Sequence, residues 1–152
     1  FENALAGSIA LTAFIPMIMN TGGNSGSQSS VAVIRSLALG DVEFKDIGRI
    51  IFKETRVSVV CGLILAIANF GKIMLVDNLL LGNNISVWIA FVVCLTLLIT
   101  VVAAKIIGSA LPLLAKAIRL DPAVMASPFI TTIVDAISLF VYFEIATAIL
   151  KI

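Results

Sequence analysis

At 152 residues the chain is long enough for one domain, but 61% of its residues are hydrophobic and only 12% are charged. The mean hydropathy of +1.17 lies outside the range of soluble globular proteins and therefore excludes an ordinary soluble domain. The formal net charge of +1 indicates neither a nucleic-acid-binding surface nor an acidic tail, so no nucleic-acid partner is expected. The composition predicts an all-α integral membrane protein in contact with the lipid bilayer.

The first predicted helix runs from about residue 4 to residue 39 and is longer than one membrane crossing requires. Inside it, the polar stretch "MNTGGNSGSQSS" (19–30) interrupts an apolar sequence. Gly22 and Gly26 form a G-x-x-x-G pair, so this stretch could serve helix packing alone or could lie beside water. Because it is longer than packing requires, we expect it to line a polar path. The expected lining residues are Asn20, Gly22, Gly23, Asn24 and Ser27.

Two further membrane-spanning helices are predicted at about residues 55–76 and 85–114. Residues 85–104 form a stretch of 20 uncharged residues. About 20 apolar residues are needed to cross about 30 Å of hydrocarbon. The earlier helix is interrupted only by Lys72, which lies near one end, where its ammonium group can reach the membrane interface.

The last predicted helix, at about residues 122–150, carries Asp135 close to its middle. A carboxylate at that depth is costly unless it faces water, a cation or another protein group, so we expect a polar path here as well. The alternatives are a buried Asp bonded to a neighbouring helix, and hydroxyl groups that bond carbonyls one turn earlier. The polar side of this helix is predicted to carry Ser127, Thr131, Asp135, Ser138 and Tyr142, and the apolar side Ile130, Ile133, Val134, Ile137 and Phe140.

Basic residues are concentrated in residues 35–56 and 105–119, which together hold eight of the ten Lys and Arg residues. The positive-inside rule predicts that both stretches are cytoplasmic connections and that both chain ends lie outside. Trp88 and Tyr142 are expected near the outer boundary, where amphipathic rings commonly lie. The chain begins at Phe1 and does not open as a signal peptide, so we interpret it as a fragment whose upstream part is missing.

The candidate ligand atoms along the predicted path are oxygen atoms. The chain contains no His, and Cys61 and Cys94 fall in different apolar spans, with no disulfide framework implied. Oxygen ligands favour hard cations such as Mg²⁺, with Mn²⁺ and Ca²⁺ as further candidates. A single Asp135 offers one negative charge, so a two-fold dimer axis through the path would bring two carboxylates to the ion.

Three stretches resemble the membrane domain of the MgtE family of bacterial magnesium channels. Residues 14–41, "FIPMIMNTGGNSGSQSSVAVIRSLALGD", resemble the family's glycine-rich second helix. Residues 111–143, "LPLLAKAIRLDPAVMASPFITTIVDAISLFVYF", resemble its fourth and fifth helices, and "KETRV" (53–57) extends the match. The resemblance implies a homodimer in the bacterial inner membrane, with a central pore lined by the glycine-rich helix and the last helix. Residues 1–152 would then be a single transmembrane channel domain containing the last four of five helices.

The resemblance also implies roles for individual residues. Asp135 matches the family's magnesium-binding aspartate, Thr131 matches a position at the same site, and Ser127 matches a further pore-facing position. Asp121 matches an acidic residue at the cytoplasmic mouth that helps to bind ions that lock the gate shut, although it could be an ordinary helix-end charge. The upstream cytoplasmic regulatory domains of the family, including a CBS-domain pair, match nothing here. Some relatives have Asn where Ser27 stands.

A passive or gated Mg²⁺ channel is the leading functional hypothesis. A secondary transporter coupled to H⁺ or Na⁺ also fits a midplane carboxylate beside a broken helix. A non-transporting membrane assembly subunit would use the polar stretch for packing alone. An enzyme is not expected, because the chain has no His, no G-x-S-x-G motif and no paired catalytic carboxylates.

Overall fold

The computed structural model describes residues 9–125 and 127–151, and Met125 and Ser127 are described by their backbone alone. The described residues are all-helical, which confirms the predicted fold class at that level. Four long helices account for most of them: α1 (Ile9–Leu39), α2 (Ile47–Lys72), α3 (Val87–Ala117) and α4 (Ser127–Leu150). Short 3₁₀ turns lie immediately before α2 and α4, at Phe44–Asp46 and Pro122–Met125.

Within the described residues, three helical segments are long and apolar enough to cross a membrane. They are Phe44–Leu80, Val87–Ala117 and Pro128–Leu150. Although α1 has 31 residues, it does not meet this criterion, because its glycine- and serine-rich centre lowers its hydropathy. The crossing of the membrane by α1 therefore stays a prediction.

Local backbone conformation and hydrogen bonds define where α1 ends and where α3 begins. The first of these helices stops at Gly40, whose φ of 76° is a left-handed conformation that suits glycine. The N–H group of Asp41 then donates to the Ser36 carbonyl at 3.0 Å, which satisfies an otherwise unpaired acceptor at the helix end. At the start of α3, the Ser86 hydroxyl accepts a hydrogen bond from the Trp88 N–H group at 3.3 Å.

The connections inside the basic stretches 35–56 and 105–119 are shorter than the predicted helix bounds allow. The first helix ends at Leu39, but the second begins at Ile47, eight residues earlier than predicted, and the third continues to Ala117, three residues beyond its predicted end. A helix does not have to stop where the hydrocarbon stops, so Lys and Arg residues near a span can belong to the helix itself. On which side of the membrane these residues lie stays a prediction.

Beyond Lys72 the second helix widens into π-type turns over Ile73–Leu80. Bonding between residues five apart brings the Lys72 ammonium to within 2.7 Å of the Asp77 carboxylate. Lys72 also lies 5.9 Å from the centre of the Phe14 ring, which links this turn to the start of α1. Lys72 therefore has protein partners in addition to the solvent contact expected for it.

The central helix of the bundle is α3, which packs against α1, α2 and α4. Where α1 and α3 begin and α4 ends, their apolar side chains form the largest buried cluster. Tyr142 is fully buried in this cluster, and its hydroxyl donates to the Leu11 carbonyl at 2.9 Å. The polar atom of Tyr142 thus finds a partner inside the protein, and its position near the outer membrane boundary stays a prediction. Trp88 is 65% exposed, as an interfacial ring would be.

Candidate metal ion site

The glycine-rich stretch of α1 meets the charged position of α4 directly. The Oδ1 atom of Asp135 lies 3.5 Å from the point where a Cβ atom on Gly23 would stand. The Cγ2 atom of Thr131, one turn earlier on α4, lies 3.1 Å from the same point. Gly23 therefore leaves only backbone opposite Thr131 and Asp135, so the carboxylate can lie against α1 without a side chain between them. Asp135 is half-buried.

Beside this contact, α1 presents an exposed polar face made of Asn20, Asn24 and Gln28. These side chains follow one another at intervals of four residues, so they lie along one side of the helix. The Asn24 side-chain N–H group donates to the Asn20 side-chain oxygen at 3.1 Å. Amide groups at membrane depth are unfavourable against lipid, so this polar face would need water or protein in front of it if α1 crosses the membrane as predicted. Ser27, at the edge of the face, is partly exposed.

Gly22 and Ser138, both predicted to line the path, instead lie inside the protomer. A Cβ atom on Gly22 would stand 2.6 Å from Thr100 Cγ2 and 3.0 Å from Ser138 Oγ. Ser138 is 1% exposed, and its hydroxyl donates to the Val134 carbonyl at 2.6 Å. At Gly22 the structure fits the alternative in which the glycine-rich stretch serves helix packing. At Ser138 it fits the alternative in which a hydroxyl bonds a carbonyl one turn earlier.

The buried side of α4 mixes polar and apolar residues. Ile130 and Val134, expected on the opposite side from Ser138, are buried together with it. The Thr131 hydroxyl donates to the Pro128 carbonyl at 3.0 Å, yet its oxygen can still accept a hydrogen bond. The polar stripe is therefore divided, since Thr131 and Asp135 lie at the edge of the helix contact and Ser138 lies in its centre.

Asp121 lies away from Asp135, in the connection between α3 and α4. It is exposed, its Oδ1 atom accepts from the Ala123 N–H group at 2.9 Å, and it lines a cavity of about 530 Å³ with Lys116 and Arg119. The side chain of Ser127 lies outside the described residues, so its expected pore-facing position is not tested.

No cluster of three or more His, Cys, Asp or Glu side chains that could hold a metal occurs in the part of the chain that the structure describes. At the Asp135 contact, one protomer supplies one carboxylate with neighbouring hydroxyl and amide oxygens. This donor set suits a hydrated hard cation better than a stripped one, because a single carboxylate cannot balance two positive charges.

Sequence reasoning missed an ionic cluster that joins three helices. The ammonium of Lys105 on α3 lies 3.6 Å from the carboxylate of Glu54 on α2, with side chains only 13% and 16% exposed. The Ser29 hydroxyl on α1 donates to Glu54 at 2.7 Å and accepts from Lys105 at 3.3 Å. The only signal was that Lys105 directly follows a long uncharged stretch, which we interpreted as the edge of a connection.

Comparison with known protein families decides to which family the chain belongs. The sequence profile of MgtE, described as a divalent cation transporter, matches residues 15–145. The chain belongs to the MgtE family. The matched region contains α1 from its second turn, all of α2 and α3, and α4 through Asp135, so it includes both sides of the candidate site. The resemblance inferred from the quoted stretches is thereby confirmed.

Three curated MgtE proteins match nearly the whole chain, and each is named magnesium transporter MgtE. The Bacillus subtilis protein is 38% identical over 97% of the chain, and the Thermus thermophilus protein is 32% identical over 99%. The Enterococcus faecalis protein is 31% identical over 99%. The chain spans about a third of the length of these relatives, since it covers 31%, 32% and 32% of them.

Proposed function

We propose that this chain is the pore-forming membrane domain of a Mg²⁺ transporter. The observation that carries the proposal is the half-buried carboxylate of Asp135, which lies within a membrane-spanning helix beside Gly23 and next to the polar face of α1. The choice of ion rests on the relatives, which are named magnesium transporters. Mg²⁺ is the cargo in this proposal and is not a resident cofactor.

The path runs between two copies of the chain. The polar face of α1 is exposed in one protomer, and a second copy related by a two-fold axis would cover it with the same polar groups. Two Asp135 carboxylates would then supply two negative charges, which match the charge of the ion. This arrangement removes both unfavourable features of the single protomer, namely amides against lipid and one carboxylate for a divalent cation.

Mg²⁺ moves along this path with its water molecules. Because Mg²⁺ loses water slowly, the protein oxygens of Asp135, Asn20 and Asn24 accept hydrogen bonds from water that remains bound to the ion. The absence of a side chain at Gly23 lets the carboxylate lie against α1, close to the exposed amides of Asn20 and Asn24. Mn²⁺ and Ca²⁺ also prefer oxygen ligands and are further candidate ions.

The same proposal includes the cytoplasmic mouth of the pore and the orientation of the chain in the membrane. The carboxylate of Asp121 favours cations at the cytoplasmic mouth, and the positive charges of nearby Lys116 and Arg119 oppose this effect. The protein lies in the bacterial inner membrane, with the short connections at 40–46 and 118–126 on the cytoplasmic side.

Mg²⁺ flux into liposomes that contain the purified chain and a trapped magnesium-sensitive dye tests this function. Asp135→Asn is expected to reduce the flux at least tenfold, because a contact to a charged group is worth about 1.5–3 kcal/mol. Glu144→Gln is the matched control, since Glu144 is an exposed carboxylate on the same helix, and it should leave most of the flux intact.

The driving force for Mg²⁺ flux distinguishes a channel from a coupled transporter. Flux driven by a membrane potential alone supports a channel, whereas an absolute requirement for a H⁺ or Na⁺ gradient would support a coupled transporter. Equal flux in wild type and Asp135→Asn would remove Asp135 from the path. No flux from a folded, dimeric protein would favour a non-transporting assembly subunit.

A further inference from the structure

One face at the beginning of α2 carries three cationic side chains. Arg49, Lys53 and Arg56 follow at intervals of four and three residues, and all three are exposed. Together with Phe52 and Val57 they line a groove of about 450 Å³. The three charges extend over about 10 Å along the helix axis, given a rise of about 1.5 Å per residue. We call this surface the basic groove.

In the described part of the chain, the cations of the basic groove are not paired with carboxylates. No ion pair involves Arg49, Lys53 or Arg56 in the described ranges, 9–125 and 127–151. Glu54, the neighbour of Lys53 in the chain, binds Lys105 and Ser29 instead. The basic groove is therefore a cluster of three neighbouring cations without an ion pair, in contrast to Lys45, Lys72 and Lys105, which are paired with carboxylates.

The groove is also partly organised before any ligand arrives. The guanidinium carbon of Arg56 lies 5.8 Å from the centre of the Phe52 ring, and that ring is 67% exposed. A cation held over an aromatic ring keeps its N–H groups free to bind an anion. Arg recognises phosphate particularly well, because its planar fork can donate two parallel hydrogen bonds.

The basic groove continues into an apolar surface along the rest of α2. Val60, Ile64 and Ile67 follow at intervals of about one turn and are 57%, 62% and 71% exposed. They belong to a segment long and apolar enough to span the membrane, so their exposed side chains are suited to acyl chains. Positive charge thus lies at the end of a lipid-facing apolar strip.

We propose that the basic groove binds the phosphate headgroup of an anionic phospholipid, with its acyl chains along Val60, Ile64 and Ile67. Charge complementarity favours an anionic over a zwitterionic lipid, and the apolar strip favours a lipid over a soluble phosphate. The binding surface is on α2, away from Gly23 and Asp135, so the inference does not depend on the proposed function.

Native mass spectrometry of the purified chain tests this proposal directly. Wild type should bind phosphatidylglycerol more tightly than phosphatidylcholine with the same acyl chains. Arg49→Gln combined with Arg56→Gln should weaken phosphatidylglycerol binding roughly tenfold or more, because each basic residue near an anionic surface contributes about a factor of five. Phosphatidylcholine binding should change little.

The matched control removes two positive charges elsewhere, by combining Arg35→Gln with Lys45→Gln. Arg35 is an exposed cation near the end of α1, and Lys45 is paired with Glu43 at 2.9 Å. This control should keep the affinity for phosphatidylglycerol. Equal losses in both double variants would overturn the proposal in favour of general electrostatic attraction, and displacement of the lipid by an equal concentration of inorganic phosphate would indicate a soluble-anion site.

A second measurement on wild type keeps the proposal testable if the groove variant does not fold. A photoreactive phosphatidylglycerol should crosslink to peptides that contain residues 49–67 of the wild-type chain. Crosslinks confined to α1 or α4 would contradict the proposal. The lipid measurements require no magnesium flux, so a failed transport assay would not affect them.

Discussion

At Gly108 the backbone of α3 touches the backbone of α1. A Cβ atom on Gly108 would overlap the carbonyl group of Gly26, and one on Gly26 would stand 3.1 Å from the Ala104 carbonyl oxygen. Close approach of this kind explains why the G-x-x-x-G pair of α1 is buried. It also keeps the neighbouring Gly23 at a fixed distance from α4.

Gly108→Ala should therefore destabilise the protein by about 3 kcal/mol or more, because backbone cannot move aside as a flexible side chain can. The matched control is Gly71→Ala, since nothing lies within 4 Å of a Cβ atom at Gly71 in α2. The control should leave the melting temperature unchanged or slightly raised, given the helix preference of Ala. Thermal unfolding in detergent measures both, and similar losses in the two variants would contradict the packing account.

Asp135 could be recognised from the sequence because a carboxylate in the middle of an apolar span is costly in any fold. The positions of Ser138 and Tyr142 could not be predicted in the same way. A hydroxyl can be satisfied by a carbonyl of its own helix, as in Ser138, or of another helix, as in Tyr142, so its presence does not require water. Helical spacing identifies neighbours on one face, but it does not identify what that face contacts.

The three-helix ionic cluster fixes how α1, α2 and α3 are arranged. Lys105 and Glu54 are mostly buried, and Ser29 contacts both of them. Ser29 lies six positions after Gly23 on α1, so less than two helical turns join the cluster to the candidate metal site. A shift of α1 relative to the cluster would therefore move Gly23 relative to Asp135.

Lys105→Met and Glu54→Gln should each destabilise the protein by about 3–5 kcal/mol, because each leaves a buried polar or charged group without its partner. The double variant should lose much less than the two single losses combined. Unfolding in increasing denaturant measures this coupling.

The exposed pair Lys45 and Glu43 provides the comparison, with side chains 73% and 67% exposed at a distance of 2.9 Å. Its double-variant cycle should give a coupling below about 1 kcal/mol. Comparable couplings for the buried and exposed pairs would show that the buried cluster does not hold the helices in place.

Helix boundaries were partly predictable because uncharged stretches define the centre of a span better than its ends. The uncharged stretch at 85–104 lies almost entirely in α3, whereas α2 begins eight residues before the predicted start. The π-type widening after Lys72 has no periodic signal in the sequence. The contact between Lys72 and Asp77 that accompanies it becomes visible only in the folded chain.

For the whole molecule, the polar face of α1 should meet its counterpart in a second copy. After replacement of Cys61 and Cys94 by Ala, Asn24→Cys should form disulfide-linked dimers in membranes treated with an oxidant. Ile64→Cys, on the exposed apolar strip of α2, is the matched control and should remain monomeric. The readout is the dimer fraction on a non-reducing gel, and preferential crosslinking at Ile64→Cys would place the contact between copies on the wrong helix.

The membrane class, the all-helical fold and the importance of the glycine-rich stretch followed from composition and pattern. The surroundings of the individual residues in that stretch could not be predicted from the pattern. Gly22, Gly23 and Asn24 are consecutive, yet they face three different surroundings. Gly22 faces α3 and α4, Gly23 faces Thr131 and Asp135, and Asn24 is exposed. Such differences depend on how the helices are rotated about their axes, which a polar stretch by itself does not determine.

The most direct test of a midplane magnesium site is the effect of Mg²⁺ on the thermal stability of the purified protein. A ligand that binds only the folded state raises its stability, by about 2.7 kcal/mol at a concentration of about 100 times Kd. Wild type and Glu144→Gln should be stabilised by Mg²⁺, more than by Ca²⁺, and Asp135→Asn should lose most of this effect. Equal stabilisation of wild type and Asp135→Asn would contradict the account and move the ion away from the contact between Gly23 and Asp135.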